Sequence, residues 1–292
     1  VDDKADMLNQ IKWGNRFLGS IEDYDDADIV MVGAPMDYTV SYRPGTRFGP
    51  QSIREVSCSI EEYSPYLDRS LDSIKFFDYG DLELPFGSAE QSLDIIGRAA
   101  SDILNDNKKP LFIGGEHLIS VPIVRSVCEK YGSDMYLVHF DAHADLRDEF
   151  FGQKNSHASA IRRIIDFLPP DHVYQFGIRS GIKEEFDYAK QHMHMFKFKV
   201  LEPLKRCLHD LKGHPVYITL DIDVVDPAYA NGTGTPEPAG CTSGEILEAI
   251  HIMQGLDIVG FDLVEVSPDY DLSNRTAILA AKIIREALLA LF

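Results

Sequence analysis

The chain has 292 residues, 45% of them hydrophobic and 26% charged, a balance that suits one self-sufficient globular core and neither a disordered nor a fibrous chain. Its 47 acidic residues against 28 basic ones leave a formal charge of −19, which argues against broad affinity for nucleic acid or an anionic membrane surface. A small cationic ligand is compatible with that charge.

The first residues, VDDKADMLNQIKWGNRFLG, are polar, and no apolar run approaches the roughly 18 residues of a membrane span. Cys58, Cys128, Cys207 and Cys241 are scattered without metal or redox spacing, so reduced thiols and a cytoplasmic location are the expectation. Short runs rich in β-branched and aromatic residues then follow in order: IVMVG from Ile29, FFDYG from Phe76, LFIGG from Leu111, YLVHF from Tyr136, VYQFG from Val173, MFKF from Met195, VYITLD from Val216 and IVGFDLVEV from Ile258. They predict eight strands. Between most of them lie segments of helical period, including SLDIIGRAASDILND, VPIVRSVCEKY, TSGEILEAIHIM and the closing TAILAAKIIREALLALF. Such alternation requires crossover connections, hence a single three-layer α/β domain over residues 1–292, with a mostly parallel, about eight-stranded sheet between helices.

Ligands of open parallel sheets bind beyond the carboxyl ends of the strands. Three strand ends here carry unusual polar residues. DAHAD sets Asp141, His143 and Asp145 at alternate positions, which share one face if the strand persists. TLDIDVVDP repeats the pattern with Asp221 and Asp223, followed by Asp226, and GGEH brings His117 to the opening of a helix. Each motif alone is weak, since an Asp or His past a strand more often caps a helix or closes a turn. Together they form a carboxylate and imidazole set whose burial demands cations. Oxygen-rich ligation without thiolate suits Mn²⁺ better than structural Zn²⁺.

The set GGEH, DAHAD, TLDIDVVDP and the late EVSP resembles the ureohydrolase family of arginases, agmatinases and formiminoglutamases, over nearly the whole chain. GAPMDYTVSYRPGTRFGPQSIREVS and EEYSPYLDRSL resemble the agmatinase branch in particular. The resemblance implies two Mn²⁺ per subunit, one held by His117, Asp141, Asp145 and Asp221, the other by Asp141, His143, Asp221 and Asp223. The pair would share a water poised as hydroxide. It implies further that Glu265 pairs with a substrate guanidinium, that His157 shuttles protons, and that Asp145 passes a proton to the leaving amine. The implied reaction is hydrolysis of agmatine to putrescine and urea by a cytoplasmic trimer or hexamer. The alternatives are formiminoglutamase or another guanidino-acid hydrolase, then a two-metal phosphoesterase, then an inactive metal-binding scaffold.

Two positions depart from the family pattern: Ala158 and Ser159 stand where glycine usually follows the histidine, and Arg147 stands where arginases carry Asn. Arg147 is expected to turn away into an ion pair with a neighbour such as Asp148 or Glu149. His192 and His194 are expected to be exposed or strand-packed, and His139 to be a satisfied core or supporting residue. The glycine-rich NGTGTPEPAG from Asn231 is expected to shape the site rim.

Overall fold

The computed structural model describes residues 11–12 and 15–292; the expectation drawn from the polar first residues lies outside the described residues. The strands, in chain order, are β1 (Ile11–Lys12), β2 (Ile29–Ala34), β3 (Tyr63–Ser64), β4 (Arg69–Ser70), β5 (Phe76–Leu82), β6 (Lys109–Gly114), β7 (Tyr136–Phe140), β8 (Val173–Ile178), β9 (His194–Lys197), β10 (Pro215–Asp221) and β11 (Asp257–Val264). The helices are α1 (Gly49–Ser57), α2 (Ala89–Asn105), α3 (Ser120–Tyr131), α4 (Ala160–Ile164), α5 (Lys183–His192), α6 (Leu201–Leu211), α7 (Ser243–Ile252) and α8 (Arg275–Leu291). Every expected strand and helix is present.

The main sheet runs β1-β5-β2-β6-β11-β10-β7-β8-β9. The eight strands from β5 to β9 pair in parallel, and β1 adds an antiparallel edge. β3 and β4 form a separate small hairpin. Strand residues alternate between two cores, as a sheet covered on both faces requires. Leu111, Ile113, Val138, Phe140, Ile218 and Leu220 pack with α1, α6, α7 and α8, whereas Phe112, Leu137 and Tyr217 face α2, α3, α4 and α5.

Two buried charge networks tie peripheral elements to this frame. Arg54 of α1 donates to Asp78 at 2.8 Å and also pairs with Asp81, both on β5. Glu286 of α8 accepts from Ser64 at 2.7 Å, lies 2.9 Å from His251 of α7, and pairs with Arg285. The cysteines are all free. Among the described residues no helix is long and apolar enough to cross a membrane.

Candidate active site

The four middle strands β6, β11, β10 and β7 end side by side, and their carboxyl ends deliver the polar residues singled out above. His117 opens a short 3-10 turn after β6, Asp221 closes β10, Asp223 sits in the turn that follows, and Glu265 comes directly after β11. One expectation fails in detail. β7 stops at Phe140, so Asp141, His143 and Asp145 do not alternate along a persisting strand. They converge because the chain turns: Asp145 adopts a left-handed φ of 53°, and His143 pairs with Ser180 in an isolated bridge. Asp223 likewise lies beyond its strand, in the turn after β10, where Asp221 accepts its backbone N–H at 2.8 Å.

The convergence is nonetheless tight. His117 Nδ1 lies 3.0 Å from Asp141 Oδ2, 3.3 Å from Asp145 Oδ2 and 3.4 Å from Asp221 Oδ2. His143 Nδ1 lies 2.9 Å from Asp223 Oδ2 and 3.5 Å from Asp141 Oδ1. Asp141 belongs to both groups, one with His117, His139 and Asp145, the other with His143 and Asp223. Asp221 joins through its contact with His117.

Electrostatics show what such a cluster lacks. Burial and then the neighbouring carboxylates push Asp145 and Asp221 well above the usual carboxylate range. Burial alone would lower His117 and His143, yet the adjacent aspartates outweigh it and raise both imidazoles well above their ordinary value. With no cation among them, Asp145 and Asp221 are pushed toward the neutral form and both imidazoles toward the charged form, which is the signature of a site short of positive charge. His117 Nδ1 and Asp223 Oδ2 are buried without a hydrogen-bond partner. An imidazole nitrogen ringed by three carboxylates, with no hydrogen bond made, fits a cation and little else, so the donor set suits the metal pair.

Glu265 is 2% exposed and has a left-handed φ of 68°. Its backbone N–H donates to the Gly115 carbonyl at 2.9 Å, and its Oε1 accepts the His117 N–H at 2.9 Å. Burial pushes its carboxyl up to about 8. His157 Nδ1 faces Glu265 at 3.9 Å, and its Nε2 lies 3.0 Å from the hydroxyl of Ser41. Burial and then the charge of nearby His143 and His117 push His157 down to about 4. Ala158 and Ser159 need no glycine conformation, since neither has a positive φ, and the Ser159 hydroxyl accepts the Ser156 N–H at 3.1 Å and donates to the Lys154 carbonyl at 2.7 Å, closing the loop that carries His157.

His117, His143, Asp145, Asp221, Glu265, His157 and Ser41 line a cavity of about 200 Å³ that also includes Ala144, Arg147, Phe150, Ser180, Glu185 and Thr235. Arg147 corrects the expectation made for it. It does not turn away to Asp148 or Glu149 but borders the cavity, 3.8 Å from Glu185 and 4.6 Å above the Phe150 ring. Asp148 is taken instead by Arg162 and Arg163. The glycine-rich segment does form rim: Thr235 lines the cavity, and Arg179 holds the Glu237 carbonyl at 2.7 Å and the Asp223 carbonyl at 2.6 Å. His192 and His194 lie elsewhere, His192 tilted against the Tyr188 ring and His194 stacked on Tyr174.

Glu116 escaped the reading, although it stands inside GGEH. It is fully buried and accepts both the N–H and the hydroxyl of Thr39, each at 2.7 Å. The same hydroxyl oxygen accepts the His157 N–H at 2.9 Å. Burial pushes Glu116 up to about 7.

A parallel α/β sheet with a buried carboxylate and imidazole cluster at the ends of its central strands defines a protein built around a metal-binding centre. The chain belongs to the arginase family, whose description matches residues 27–290. It is 52% identical to an agmatinase of Bacillus anthracis over 279 residues, 94% of this chain and 96% of that one. A guanidinobutyrase of Pseudomonas aeruginosa is 40% identical, covering 91% of this chain and 87% of its own length. The crystal structure of agmatine ureohydrolase of Thermoplasma volcanium superposes with a TM-score of 0.87 at 33% identity, covering 96% and 95% of the two chains. The expected ureohydrolase membership and arginase-like fold therefore hold.

Proposed function

We propose that this enzyme hydrolyses agmatine to putrescine and urea. The observation that carries the reading is Glu265, a buried carboxylate aimed into the cavity beside the metal-binding cluster, with no Lys or Arg paired to it among the described residues. A guanidinium is the planar cation that matches a carboxylate through two parallel hydrogen bonds. The 52% identity to a curated agmatinase supports the choice of substrate.

His117, Asp141, Asp145 and Asp221 would hold one manganese ion, and Asp141, His143, Asp221 and Asp223 the other. When bound, such a pair supplies Lewis-acid chemistry that makes water nucleophilic at neutral pH. The remaining work belongs to the chain. Glu265, raised by burial, ionises as the guanidinium enters and restores the missing counter-charge, which holds the electrophilic carbon over the cluster. His157 is held neutral by its burial, so its Nδ1 is free to take a proton while Ser41 engages Nε2. Asp145, 3.3 Å from His117 Nδ1 at the cavity wall, would pass the proton given up by the attacking water to the leaving amine. We further propose that the enzyme works as a cytoplasmic homo-oligomer, which light scattering would check as a trimer or hexamer.

A second reading, a guanidino-acid hydrolase, is favoured by one observation: Arg147 borders the cavity and could meet a substrate carboxylate. Its pairing with Glu185 tells against that, because the charge is already engaged. Urea release from agmatine, arginine and 4-guanidinobutyrate by the Mn²⁺-loaded protein separates the readings. Agmatine should show the highest kcat/KM. If 4-guanidinobutyrate wins and Arg147→Ala removes its advantage, Arg147 reads a carboxylate and the agmatine assignment fails.

A further inference from the structure

Geometry alone offers one imidazole too many, because His139 lies with His117, Asp141 and Asp145 in a group able to surround a cation. The hydrogen bonds of the two rings separate their roles. His117 Nε2 lies 2.9 Å from the Thr219 hydroxyl oxygen, and that hydroxyl donates to Asp262 Oδ1 at 2.6 Å. Having given its proton to Asp262, Thr219 can only accept from His117. The His117 proton therefore sits on Nε2, and Nδ1 keeps a lone pair toward the carboxylates.

His139 is arranged the other way round. Its Nε2 lies 2.8 Å from Asp141 Oδ2, and its Nδ1 lies 3.0 Å from Gln175 Nε2. The amide orientation is set by the Ala144 carbonyl, which takes the other Gln175 N–H at 2.8 Å; a flipped amide would set oxygen against oxygen. Gln175 thus donates to Nδ1, and His139 donates from Nε2 to Asp141. Both nitrogens are committed.

These residues form one row. Asp262 on β11 stands opposite Thr219 on β10, Thr219 opposite His139 on β7, and His139 opposite Gln175 on β8. All four are 0% exposed, and Tyr217 caps the row with a 2.7 Å hydrogen bond to Asp262. A polar row across four buried strands is costly unless every member has a partner. We propose that the row Asp262, Thr219, His139 and Gln175 is a positioning platform that fixes a bare Nδ1 on His117 and a hydrogen-bond donor at Asp141, and that His139 supports the metal centre without ligating it. The inference rests on the metal-binding reading of the cluster. Residues that orient ligands in this way carry a measurable share of metal affinity.

The test is Mn²⁺ binding by competition with a chelator, joined to the visible absorption spectrum of the Co²⁺-loaded protein. Thr219→Val and His139→Leu should each weaken Mn²⁺ binding roughly 10- to 100-fold. Thr219→Ser and His139→Gln keep the hydroxyl and the donor, and both should bind near wild-type affinity with unchanged stoichiometry and Co²⁺ spectrum. Loss of a metal equivalent or a changed Co²⁺ spectrum in His139→Gln would make His139 a ligand and overturn the inference. So would wild-type affinity in folded Thr219→Val and His139→Leu. If the wild-type chain bound no Mn²⁺, the metal-binding reading would fall and the platform with it; wild-type binding with unaffected variants would sink the platform alone.

Discussion

Thr39→Val tests whether the segment after β2 is tied to catalysis through one hydroxyl. The substitution keeps side-chain shape and removes two hydrogen bonds, from Thr39 to Glu116 at 2.7 Å and from the His157 N–H to Thr39 at 2.9 Å. Leaving a largely buried N–H unpaired costs about 1–3 kcal/mol, and removing a donor from a buried carboxylate costs a comparable amount. The Thr39 N–H still reaches Glu116, so the segment is loosened and not released. A combined cost of about 3 kcal/mol is well within the roughly 5–15 kcal/mol of a folded domain, so the variant should fold. If the cost is expressed as misplacement of His157, it corresponds to a loss of up to about 150-fold in rate. Steady-state urea release should show kcat down by roughly 10- to 150-fold, with manganese content unchanged and Thr39→Ser near wild type. A Thr39→Val enzyme with wild-type turnover would refute the link. One that loses manganese would assign the segment to the metal centre.

Glu265→Gln preserves shape but removes the charge facing the substrate, so kcat/KM should fall by at least the roughly 10- to 150-fold that a charge-assisted hydrogen bond of about 1.5–3 kcal/mol implies; kinetics with metal analysis checks it. Asp141→Asn should abolish activity without rescue by added Mn²⁺, and in wild type chelation should lower the melting temperature reversibly, because an ion that binds only the folded state stabilises it. Glu286 gives the pH prediction: burial would raise its pKa, but hydrogen bonds from Ser64, His251 and Arg285 outweigh it and hold it below the ordinary value of 4.5. Its ionised form therefore stabilises the fold above that value, and the contribution is lost as pH falls through the lowered one. Melting curves from pH 6 down to pH 3 should show the gap between wild type and Glu286→Gln narrowing in acid; a constant gap would remove Glu286 from the acid response.

Most of the strands were legible because they are short apolar runs closed by Gly, Pro or Asp, and parallel pairing followed from the helices between them. The motif aspartates and histidines were legible because they fall at strand ends. What was hidden is where the chain leaves regular structure. Nothing in the residue types of Asp145 and Glu265 announces a left-handed backbone, which most non-glycine residues avoid. The partner of Arg147 was misjudged because proximity was sought along the chain, whereas Glu185 arrives from α5 through the fold. Glu116 was masked by His117 beside it in GGEH, the residue of that motif read as a ligand. The supporting row did leave a trace: His139 and Thr219 each stand two residues before a site aspartate, polar residues inside strands that are otherwise apolar.

Strand order bears on when the site can exist. β10 and β11 come last in the chain but lie between β6 and β7 in the finished sheet. His117 follows β6 and the DAHAD aspartates follow β7, two strands that do not pair with each other, so the sheet must close before the two motifs are fixed side by side. Contacts so distant in sequence form late, since their loop-closure entropy must be met first. A metal bridging them should then slow unfolding while leaving the folding rate unchanged, acting as a clasp on the finished sheet.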